Sequence, residues 1–339
     1  MSAIDQKTAK EAKALESDIV EEADRTAIRI GEARDAISTV IFGQETVVER
    51  ALVTILAGGH GLLVGVPGLA KTLLVETMGR VLGLSDARIQ FTPDLMPSDI
   101  LGSEVMEQGD DGKRSFRFLK GPIFTQLLMA DEINRASPRT QSALLQAMQE
   151  YHVTIAGHRY DLPEPFHVLA TQNPLEQEGT YPLPEAQLDR FLMQIDVLYP
   201  DLDAERRILL ETTGAQMAQA EKVLSTEELR AAQLLVRRMP VGDSVIEGIL
   251  ELVRSARPDK DAKDLTKHIA WGPGPRASQA LMLTARARAL YDGRLAPSLD
   301  DVVALAEPVL QHRMALSFTA RADGITVRDI IAELKGRIG

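Results

Sequence analysis

Residues 65–72 (GVPGLAKT) constrain the fold of this chain more than any other segment of its sequence. They follow an apolar run at residues 62–64 and precede a stretch with helical periodicity. A glycine-rich loop between a strand and a helix turns backbone N–H groups toward the helix start, where the helix dipole favours negative charge. The pattern therefore predicts a phosphate-binding loop. The loop consists of Gly65, Val66, Pro67, Gly68, Leu69, Ala70, Lys71 and Thr72.

Three positions of this loop lead to specific expectations. Lys71 is expected to reach the β and γ phosphates of a nucleotide, and the Thr72 hydroxyl is expected to ligate Mg²⁺. The strict pattern has glycine where this chain has Ala70. An alanine tolerates helical backbone angles there but not left-handed ones, which its Cβ disfavours. We therefore expect a helical conformation at Ala70.

Short apolar runs alternate with helical stretches in the first part of the chain. The runs fall at residues 62–64, 88–91, 127–130, 167–170 and 191–195. Runs of this kind, alternating with helices, are typical of a parallel sheet covered by helices. Two segments interrupt the alternation, at residues 103–121 and 152–162, and each is predicted to form a β-hairpin.

Polar residues follow two of these runs. Asp131 and Glu132 come directly after the third run, at the edge of the sheet where such folds bind ligands. We predict that Asp131 holds Mg²⁺ through water and that Glu132 orients and deprotonates the attacking water. Asn173 follows the next run and is expected to lie between these acids and the loop, if the strands have their usual order. It either holds the attacking water or the γ-phosphate, or simply forms an Asn-Pro turn.

Helical patterns dominate both ends of the chain. Residues 8–41 have apolar positions at helical spacing, which predicts an amphipathic helix packed on the core. After residue 200 the pattern contains helices only, at about residues 201–214, 225–239, 242–256, 275–291, 298–311 and 326–338. We predict a helical extension over residues 1–34, an α/β core over residues 35–200 and a helical domain over residues 201–339.

The composition excludes several classes of protein. The chain has no cysteine, which excludes disulfides, thiolate zinc sites, iron–sulfur clusters and thiol nucleophiles. The net charge is −11, and the acidic excess lies in residues 1–200. An acidic chain with 4% aromatic residues is a poor candidate for nucleic-acid binding. The N-terminus lacks a signal-peptide core and the apolar runs are too short to cross a bilayer, so we expect a soluble, cytoplasmic protein.

Taken together, these motifs and several further segments resemble the AAA+ ATPases, and more narrowly the MoxR type. The segments are residues 41–45 (IFGQE), 91–99 (FTPDLMPSD), 121–124 (GPIF), 131–136 (DEINRA), 170–174 (ATQNP), 178–191 (EGTYPLPEAQLDRF) and 272–277 (GPGPRA). The resemblance covers about residues 35–290. It implies an αβα ATPase core with a parallel sheet, followed by a helical lid. It also implies a ring of subunits, usually a hexamer, with each nucleotide between two subunits.

The resemblance further implies roles for single residues. Gln44 falls where the family lines the adenine pocket, and Asn173 falls at the sensor-1 position. Arg190 matches the arginine finger that reaches the γ-phosphate of a neighbouring subunit, and we expect it at the sheet edge far from the Lys71 loop. Arg276 matches sensor 2, which we expect to bind the nucleotide of its own chain. The two inserts match the helix-2 insert and the pre-sensor-1 hairpin, which contact clients.

The leading hypothesis is a chaperone-like ATPase with ATP and Mg²⁺ as ligands. It couples hydrolysis to the remodelling, maturation or activation of a partner protein or complex. The resemblance implies a von Willebrand factor A domain protein as partner, besides an unknown client. The sequence leaves open whether Arg135 and Arg139 act at the subunit interface.

The alternative is an AAA+ nucleic-acid motor. The first insert carries four basic residues, offset by nearby acids; they are Lys113, Arg114, Arg117 and Lys120. A small-molecule kinase is a third class, but it leaves Arg190 and the long helical lid unexplained.

Overall fold

The computed structural model describes residues 3–108, 114–176, 179–214, 218–259 and 264–338, with the backbone alone for residues 3–19. The strands are β1 (Gly61–Val64), β2 (Asp86–Gln90), β3 (Gly102–Gln108), β4 (Arg114–Lys120), β5 (Leu127–Asp131), β6 (His152–Ile155), β7 (His158–Asp161), β8 (His167–Gln172), β9 (Met193–Asp196), β10 (Ile269–Trp271) and β11 (Ala315–Leu316). The helices are α1 (Ala3–Ser38), α2 (Glu45–Leu56), α3 (Lys71–Val81), α4 (Pro97–Leu101), α5 (Pro138–Glu150), α6 (Glu185–Leu188), α7 (Leu202–Thr212), α8 (Thr226–Arg238), α9 (Asp243–Ser255), α10 (Pro275–Tyr291), α11 (Leu299–Leu310), α12 (Phe318–Ala322) and α13 (Val327–Ile338).

A parallel five-stranded sheet forms the centre of the molecule, in the order β2-β5-β8-β1-β9. Gly61 of β1 pairs with Leu169 of β8 on one side and with Met193 of β9 on the other. All five residues of β5 are buried, as expected for a strand covered by helices on both faces. The predicted α/β class with a helical lid is confirmed.

Alternate residues of the strands serve two apolar cores on opposite faces of the sheet. Leu63 and Met129 belong to the core formed with α1, α2, α3 and the C-terminal helices. Leu62, Leu128 and Val168 belong to the second core, formed with α4 and α5. This alternation follows from the two-residue period of a strand and produces the αβα sandwich.

Helix α1 bridges the core and the C-terminal helices. It contacts α2 and α3 on one side and α8 and α10 on the other, through buried residues that include Ala23, Ile30 and Ile37. Arg29 donates to the carbonyl oxygen of Val223. The boundary that we expect at residue 34 falls inside this helix, whose bounds are Ala3 and Ser38.

The two predicted hairpins are present as β3–β4 and β6–β7, both antiparallel. Their side chains meet, because the rings of Phe118 and Tyr160 are stacked with centroids 4.1 Å apart. Phe118 also makes an edge-on contact with Phe124 at 5.6 Å. The two inserts therefore form one connected surface element. The turn of the first hairpin, with Lys113, lies outside the described residues.

Helices α7 to α13 make up the C-terminal helical part of the chain, which contains the lid. The six predicted lid helices are present, but the prediction of helices only is wrong. Strands β10 and β11 pair in a small antiparallel sheet, and α12 is an additional short helix. Strands of two or three residues are too short to show a periodicity, so only the lid's packing reveals them.

Candidate active site

The loop between β1 and α3 has two left-handed positions. Gly68 has φ +84°, as a glycine easily does. Ala70 has φ 56° and ψ 23°, so our expectation of a helical conformation there is wrong. Ala70 precedes the first residue of α3 and its carbonyl already accepts from Leu74 N at 2.9 Å. The chain has to turn sharply into the helix at this point, and the left-handed turn costs about 1–2 kcal/mol for a residue with a Cβ.

The loop opens onto a cavity of about 540 Å³ at the carboxyl edge of the sheet. Six of the eight predicted loop residues, Pro67 to Thr72, line the cavity together with the predicted acids and Asn173, whereas Gly65 and Val66 do not. Its lining residues are Pro67, Gly68, Leu69, Ala70, Lys71, Thr72, Leu73, Arg88, Gln90, Asp131, Glu132, Thr171 and Asn173. The strand order explains this, because β5, β8 and β1 are neighbours and all end at this edge.

Lys71 is held by its own loop. Its Nζ donates to the carbonyl oxygens of Gly65 at 2.6 Å and Val66 at 2.9 Å. Burial lowers the pKa of Lys71, and the nearby charges of Asp131 and Glu132 oppose that shift. The two carboxylates therefore favour the charged form of Lys71, and a bound phosphate would favour it further.

Asp131 ends β5 and is buried. Thr171 Oγ1 donates to its Oδ1 at 2.6 Å, and Arg88 Nη2 donates to its Oδ2 at 2.6 Å. The same Thr171 hydroxyl oxygen accepts from the Glu132 backbone N–H at 2.8 Å. A carboxylate oxygen has more than one lone pair, so Asp131 can still accept from a metal-bound water in the cavity.

Glu132 has left-handed backbone angles, φ 56° and ψ 49°. The turn moves the chain off β5 and into the cavity wall. Its Oε2 accepts from Gln90 Nε2 at 2.7 Å and from Arg135 Nη1 at 2.8 Å. Non-glycine residues in this region carry strain of about 1–3 kcal/mol and cluster at functional sites, and both Ala70 and Glu132 line this cavity.

Asn173 is buried and follows β8, between the acids and the loop as expected. Its Oδ1 accepts from the Leu175 backbone N–H at 3.1 Å. The turn and the binding interpretations are therefore compatible, since this bond uses the carbonyl of the amide and leaves its NH₂ group for a ligand.

Gln44 lies beside a second cavity, of about 330 Å³. Its Nε2 donates to the carbonyl oxygen of Leu198 at 2.8 Å. Asp196 lines the same cavity and pairs in register with Val64, the residue before the loop. This cavity therefore lies at the same sheet edge as the phosphate loop, one strand further on. Arg328 of the lid closes it by an ion pair with Asp196 at 2.6 Å.

Arg190 and Arg276 lie at the other end of the strands. They line a third cavity of about 270 Å³ with Gly59, the residue two positions before β1, and with Asp189. Arg276 Nη1 is 3.7 Å from Asp189 Oδ2. Because β1 and β9 are parallel and Gly61 pairs with Met193, residues that precede both strands lie at the edge opposite the loop.

This placement corrects two of our expectations. β9 is the edge strand but adjoins β1, so Arg190 is separated from the Lys71 loop along the strands and not across the sheet. Arg276 does not line the Lys71 cavity, so the expectation that it binds its own chain's nucleotide does not fit this arrangement. Both arginines line the same cavity, together with Asp189.

Arg135 and Arg139, whose role at a subunit interface the sequence leaves open, differ in their surroundings. Arg135 pairs with Glu132 at 2.8 Å within the chain. Arg139 is exposed at the start of α5. Arg135 is thus paired with a cavity residue of its own chain, while the role of Arg139 stays a prediction.

Comparison with known proteins accounts for the arrangement as a whole. The family model for the ATPase family associated with various cellular activities (AAA) matches residues 60–193, and the AAA lid domain matches residues 262–334. Chaperone MoxR1 of Mycobacterium tuberculosis is 44% identical over 297 residues, which cover 87% of this chain and 78% of that protein. The chain belongs to the MoxR-type AAA ATPases.

Two further relatives extend the match over most of this MoxR-type chain. Protein MoxR of Paracoccus denitrificans is 32% identical over 307 residues, 85% of this chain and 89% of that protein. The crystal structure of a proposed ATPase from Cytophaga hutchinsonii superposes with a TM-score of 0.85 at 38% identity, covering 96% and 97% of the two chains. This MoxR-type ATPase therefore binds nucleotide and hydrolyses ATP. In the part of the chain that the structure describes, no helix has the length and apolar character to cross a membrane.

Three polar cavity residues of this MoxR-type ATPase escaped the sequence analysis. They are Arg88, Gln90 and Thr171. Arg88 and Gln90 are two positions apart in β2, so their side chains lie on the same face of the strand. This polar pair was visible in the sequence, but we interpreted the run as apolar. Their partners Asp131 and Glu132 follow β5, and only the pairing of β2 with β5 shows that the four meet.

A fourth overlooked residue is Arg313 of the lid, whose side chain is 2% exposed. It donates to Asp189 Oδ1 at 2.7 Å and to the carbonyl oxygens of Phe191 at 2.7 Å and Leu192 at 3.1 Å. Burial lowers the pKa of Arg313, and Asp189 opposes that shift. Arg313 thus attaches residues 189–192, the segment that contains Arg190, to the lid.

Proposed function

We propose that this MoxR-type ATPase works as a ring in which ATP hydrolysis remodels, matures or activates a partner protein. One observation supports the ring. The main cavity is lined by Lys71, Thr72, Asp131 and Glu132, while Arg190 lies at the opposite end of β1. An arginine finger for that cavity must therefore come from a second copy of the chain. Repetition of such a head-to-tail contact closes into a ring.

ATP with Mg²⁺ is the ligand that the main cavity fits. The Thr72 hydroxyl and the Asp131 carboxylate are hard oxygen donors, as Mg²⁺ prefers. Within the described residues, no three His, Cys, Asp or Glu side chains are grouped to cage a metal. Mg²⁺ typically binds through one or two protein oxygens, the substrate phosphates and several waters. Thr72 would supply one such oxygen, and Asp131 would hold the ion through one of its waters. The bound ion neutralises charge on the phosphates.

The other side chains of the site have separate roles in binding and hydrolysis. Lys71 leaves the loop carbonyls to contact the phosphates, and Glu132 takes the proton of the attacking water. Asn173 holds the water or the γ-phosphate through its free NH₂ group. Arg190 of the neighbouring copy contacts the γ-phosphate, where fingers are worth about 10³–10⁵ in rate. We propose that Arg276, which lines the same cavity as Arg190, acts on the same neighbouring nucleotide.

The joined hairpins are the surface proposed for the client. Met106 and Phe116 are exposed on the first hairpin, Phe116 to 71%. Arg117 pairs with Glu107 at 3.0 Å, which reduces the positive charge available to a phosphate backbone. This favours a protein client over nucleic acid, in agreement with the name Chaperone MoxR1 of the mycobacterial relative. A von Willebrand factor A domain protein as partner, and a cytoplasmic location, are proposed from the resemblance alone.

Mixing of two inactive variants tests the ring. Arg190→Ala removes the finger, and Glu132→Gln removes the base but keeps the shape of the cavity. In an equimolar mixture about a quarter of the interfaces join an intact Glu132 to an intact Arg190, so turnover returns to about that fraction of wild type. Specific activity of the wild type also rises with protein concentration below the assembly threshold.

Arg80→Ala is the matched control, because Arg80 is exposed on α3 and bonds to Gln219. It should hydrolyse ATP like wild type. If mixed rings form but stay inactive, or if a proven monomer turns over at full rate, the ring proposal is wrong.

A further inference from the structure

A continuous chain of hydrogen bonds joins the two acids of the main cavity. It runs through six side chains, in the order Thr171, Asp131, Arg88, Gln90, Glu132 and Arg135. Arg88 Nη2 contacts both Asp131 Oδ2 at 2.6 Å and Gln90 Oε1 at 3.0 Å. Arg88 therefore links Asp131, the proposed metal-binding acid, to Gln90. Gln90 in turn holds Glu132, the proposed catalytic base.

The two partners of the Arg88–Asp131 ion pair differ in exposure. The side chain of Arg88 is 48% exposed, whereas that of Asp131 is 12% exposed. A mostly buried carboxylate without a positive partner is unfavourable, while a half-exposed guanidinium is readily hydrated. Arg88 can thus leave Asp131 at little cost, provided that another cation takes its place.

Gln90 links this pair to Glu132 through the orientation of its amide. Its Oε1 accepts from Arg88 and its Nε2 donates to Glu132 Oε2 at 2.7 Å. Only this orientation satisfies both neighbours, since the reversed amide would turn its NH₂ toward a guanidinium and its oxygen toward a carboxylate. Arg88 therefore fixes the amide that holds Glu132.

We propose that Arg88 is a positioning residue that stands in for the metal ion at Asp131. Arg88 neutralises Asp131 and leaves it when the ion is bound, because two cations repel each other at one carboxylate. Its departure frees the Gln90 amide, and Glu132 is then held less firmly and can turn to the water. The inference rests on the roles proposed above for Asp131 and Glu132.

Metal affinity measures this competition directly. The probe is Mn²⁺ bound to the ADP complex of the full chain, followed by electron paramagnetic resonance. Arg88→Met removes the charge and retains most of the side-chain length. We expect it to bind Mn²⁺ about fivefold more tightly than wild type, the upper range for a partly exposed ion pair. Arg88→Lys keeps a competing charge and should stay close to wild type, and Arg80→Met, with the same change of net charge, should equal wild type.

A double-mutant cycle tests the connection through Gln90. Gln90→Leu removes one of the bonds that keep Arg88 near Asp131, so it should tighten Mn²⁺ binding by about twofold. In the Arg88→Met background the same change should have no effect. Equal effects in both backgrounds would show that Gln90 acts independently of Arg88 and would contradict the linkage.

Asp131→Asn distinguishes a failure of the metal role of Asp131 from a failure of the role proposed for Arg88. If it leaves Mn²⁺ affinity unchanged, the proposed metal role of Asp131 fails. If it weakens Mn²⁺ binding but Arg88→Met does not change it, only the inference on Arg88 fails. A loss of ADP affinity in Arg88→Met at unchanged Mn²⁺ affinity would identify Arg88 as a phosphate ligand and would also overturn the inference. Arg88→Gln, with the same expected tightening, replaces Arg88→Met if the latter does not fold.

Discussion

Arg313 of the lid pairs with Asp189 of the core at 2.7 Å, one residue before Arg190. The pair is buried on the arginine side, and the same guanidinium holds the carbonyl oxygens of Phe191 and Leu192. His312 adds a contact of 3.0 Å between its Nε2 and the Phe191 carbonyl oxygen. The proposed finger therefore stands on a segment whose position the lid determines, and any shift of the lid moves it.

Replacement of Arg313 should weaken both stability and turnover. Arg313→Met leaves Asp189 with Arg276 alone and removes the guanidinium donor from the carbonyl oxygens of Phe191 and Leu192, of which Phe191 keeps its contact with His312. We therefore expect a loss of about 3 kcal/mol in the free energy of unfolding. Urea denaturation measures this loss. Below the unfolding transition, turnover should fall while nucleotide affinity is retained, because the Lys71 cavity is elsewhere. Arg254→Met, on an exposed position of α9, is the control and should change neither quantity.

Lys71 and Glu132 should separate binding from chemistry. Lys71→Ala removes a charged contact to the phosphates, which should lower ATP affinity about 10–100-fold. Glu132→Gln keeps an oxygen that can accept from Gln90 and Arg135 but cannot take a proton, so affinity stays and turnover falls about 10²–10⁴-fold. A fluorescent nucleotide titration and a phosphate-release assay check the two effects. Normal turnover in Glu132→Gln would refute its assignment as the base.

The first hairpin should be removable without loss of the ATPase. Its ends lie together, because a Cβ added to Gly102 would be 2.6 Å from the Gly121 nitrogen. A short Gly-Ser turn in place of residues 103–120 can therefore close the chain. We expect hydrolysis to stay within a few-fold of wild type while activation of the partner is lost.

That deletion also removes the Phe118–Tyr160 stack, which should destabilise the second hairpin by about 1 kcal/mol. Tyr160→Ala in the intact chain is the matched control for this loss alone. A deletion variant that no longer folds or binds ATP would show that the hairpin is part of the core.

Three buried histidines, His60, His167 and His312, should make stability depend on pH. Burial lowers the pKa of His312 well below its ordinary value. His60 accepts from Val168 N at 3.0 Å, and His167 Nδ1 contacts the Gly59 carbonyl oxygen at 2.8 Å. Burial lowers the pKa of His60 to about 3 and that of His167 to about 4. The unfolded chain takes up protons below about pH 6.5, whereas the folded chain does not until the lower values are reached.

The free energy of unfolding should therefore fall as the pH is lowered from about 6.5 toward 4. Urea denaturation at several pH values measures the slope, which His167→Gln should reduce. His158→Gln, at the exposed turn of the second hairpin, should leave the slope unchanged. A slope that is the same in all three proteins would mean that other groups govern the acid sensitivity.

Much of the fold and part of the site follow from local sequence. Residues 65–72 form a loop between strand and helix because glycine, proline and a helix start occur in consecutive positions, and the short apolar run before Asp131 forms a strand for the same local reason. The lid helices likewise begin and end within one or two residues of the predicted bounds, since amphipathic periodicity and end signals such as the Ser225–Glu228 capping box lie in the segments themselves.

The features that decide the chemistry depend on which strands are neighbours. By itself the sequence determined the loop, the two acids and the class of the fold, because each of these depends on residues close together in the chain. Only the tertiary structure placed Arg88 and Gln90 beside Asp131 and Glu132, through the pairing of β2 with β5 across more than forty residues of chain. It also put Ala70 in a left-handed turn and Arg276 beside Arg190, away from Lys71. Periodicity shows which face of an element is apolar, but the neighbour that this face meets is selected by packing of the whole chain.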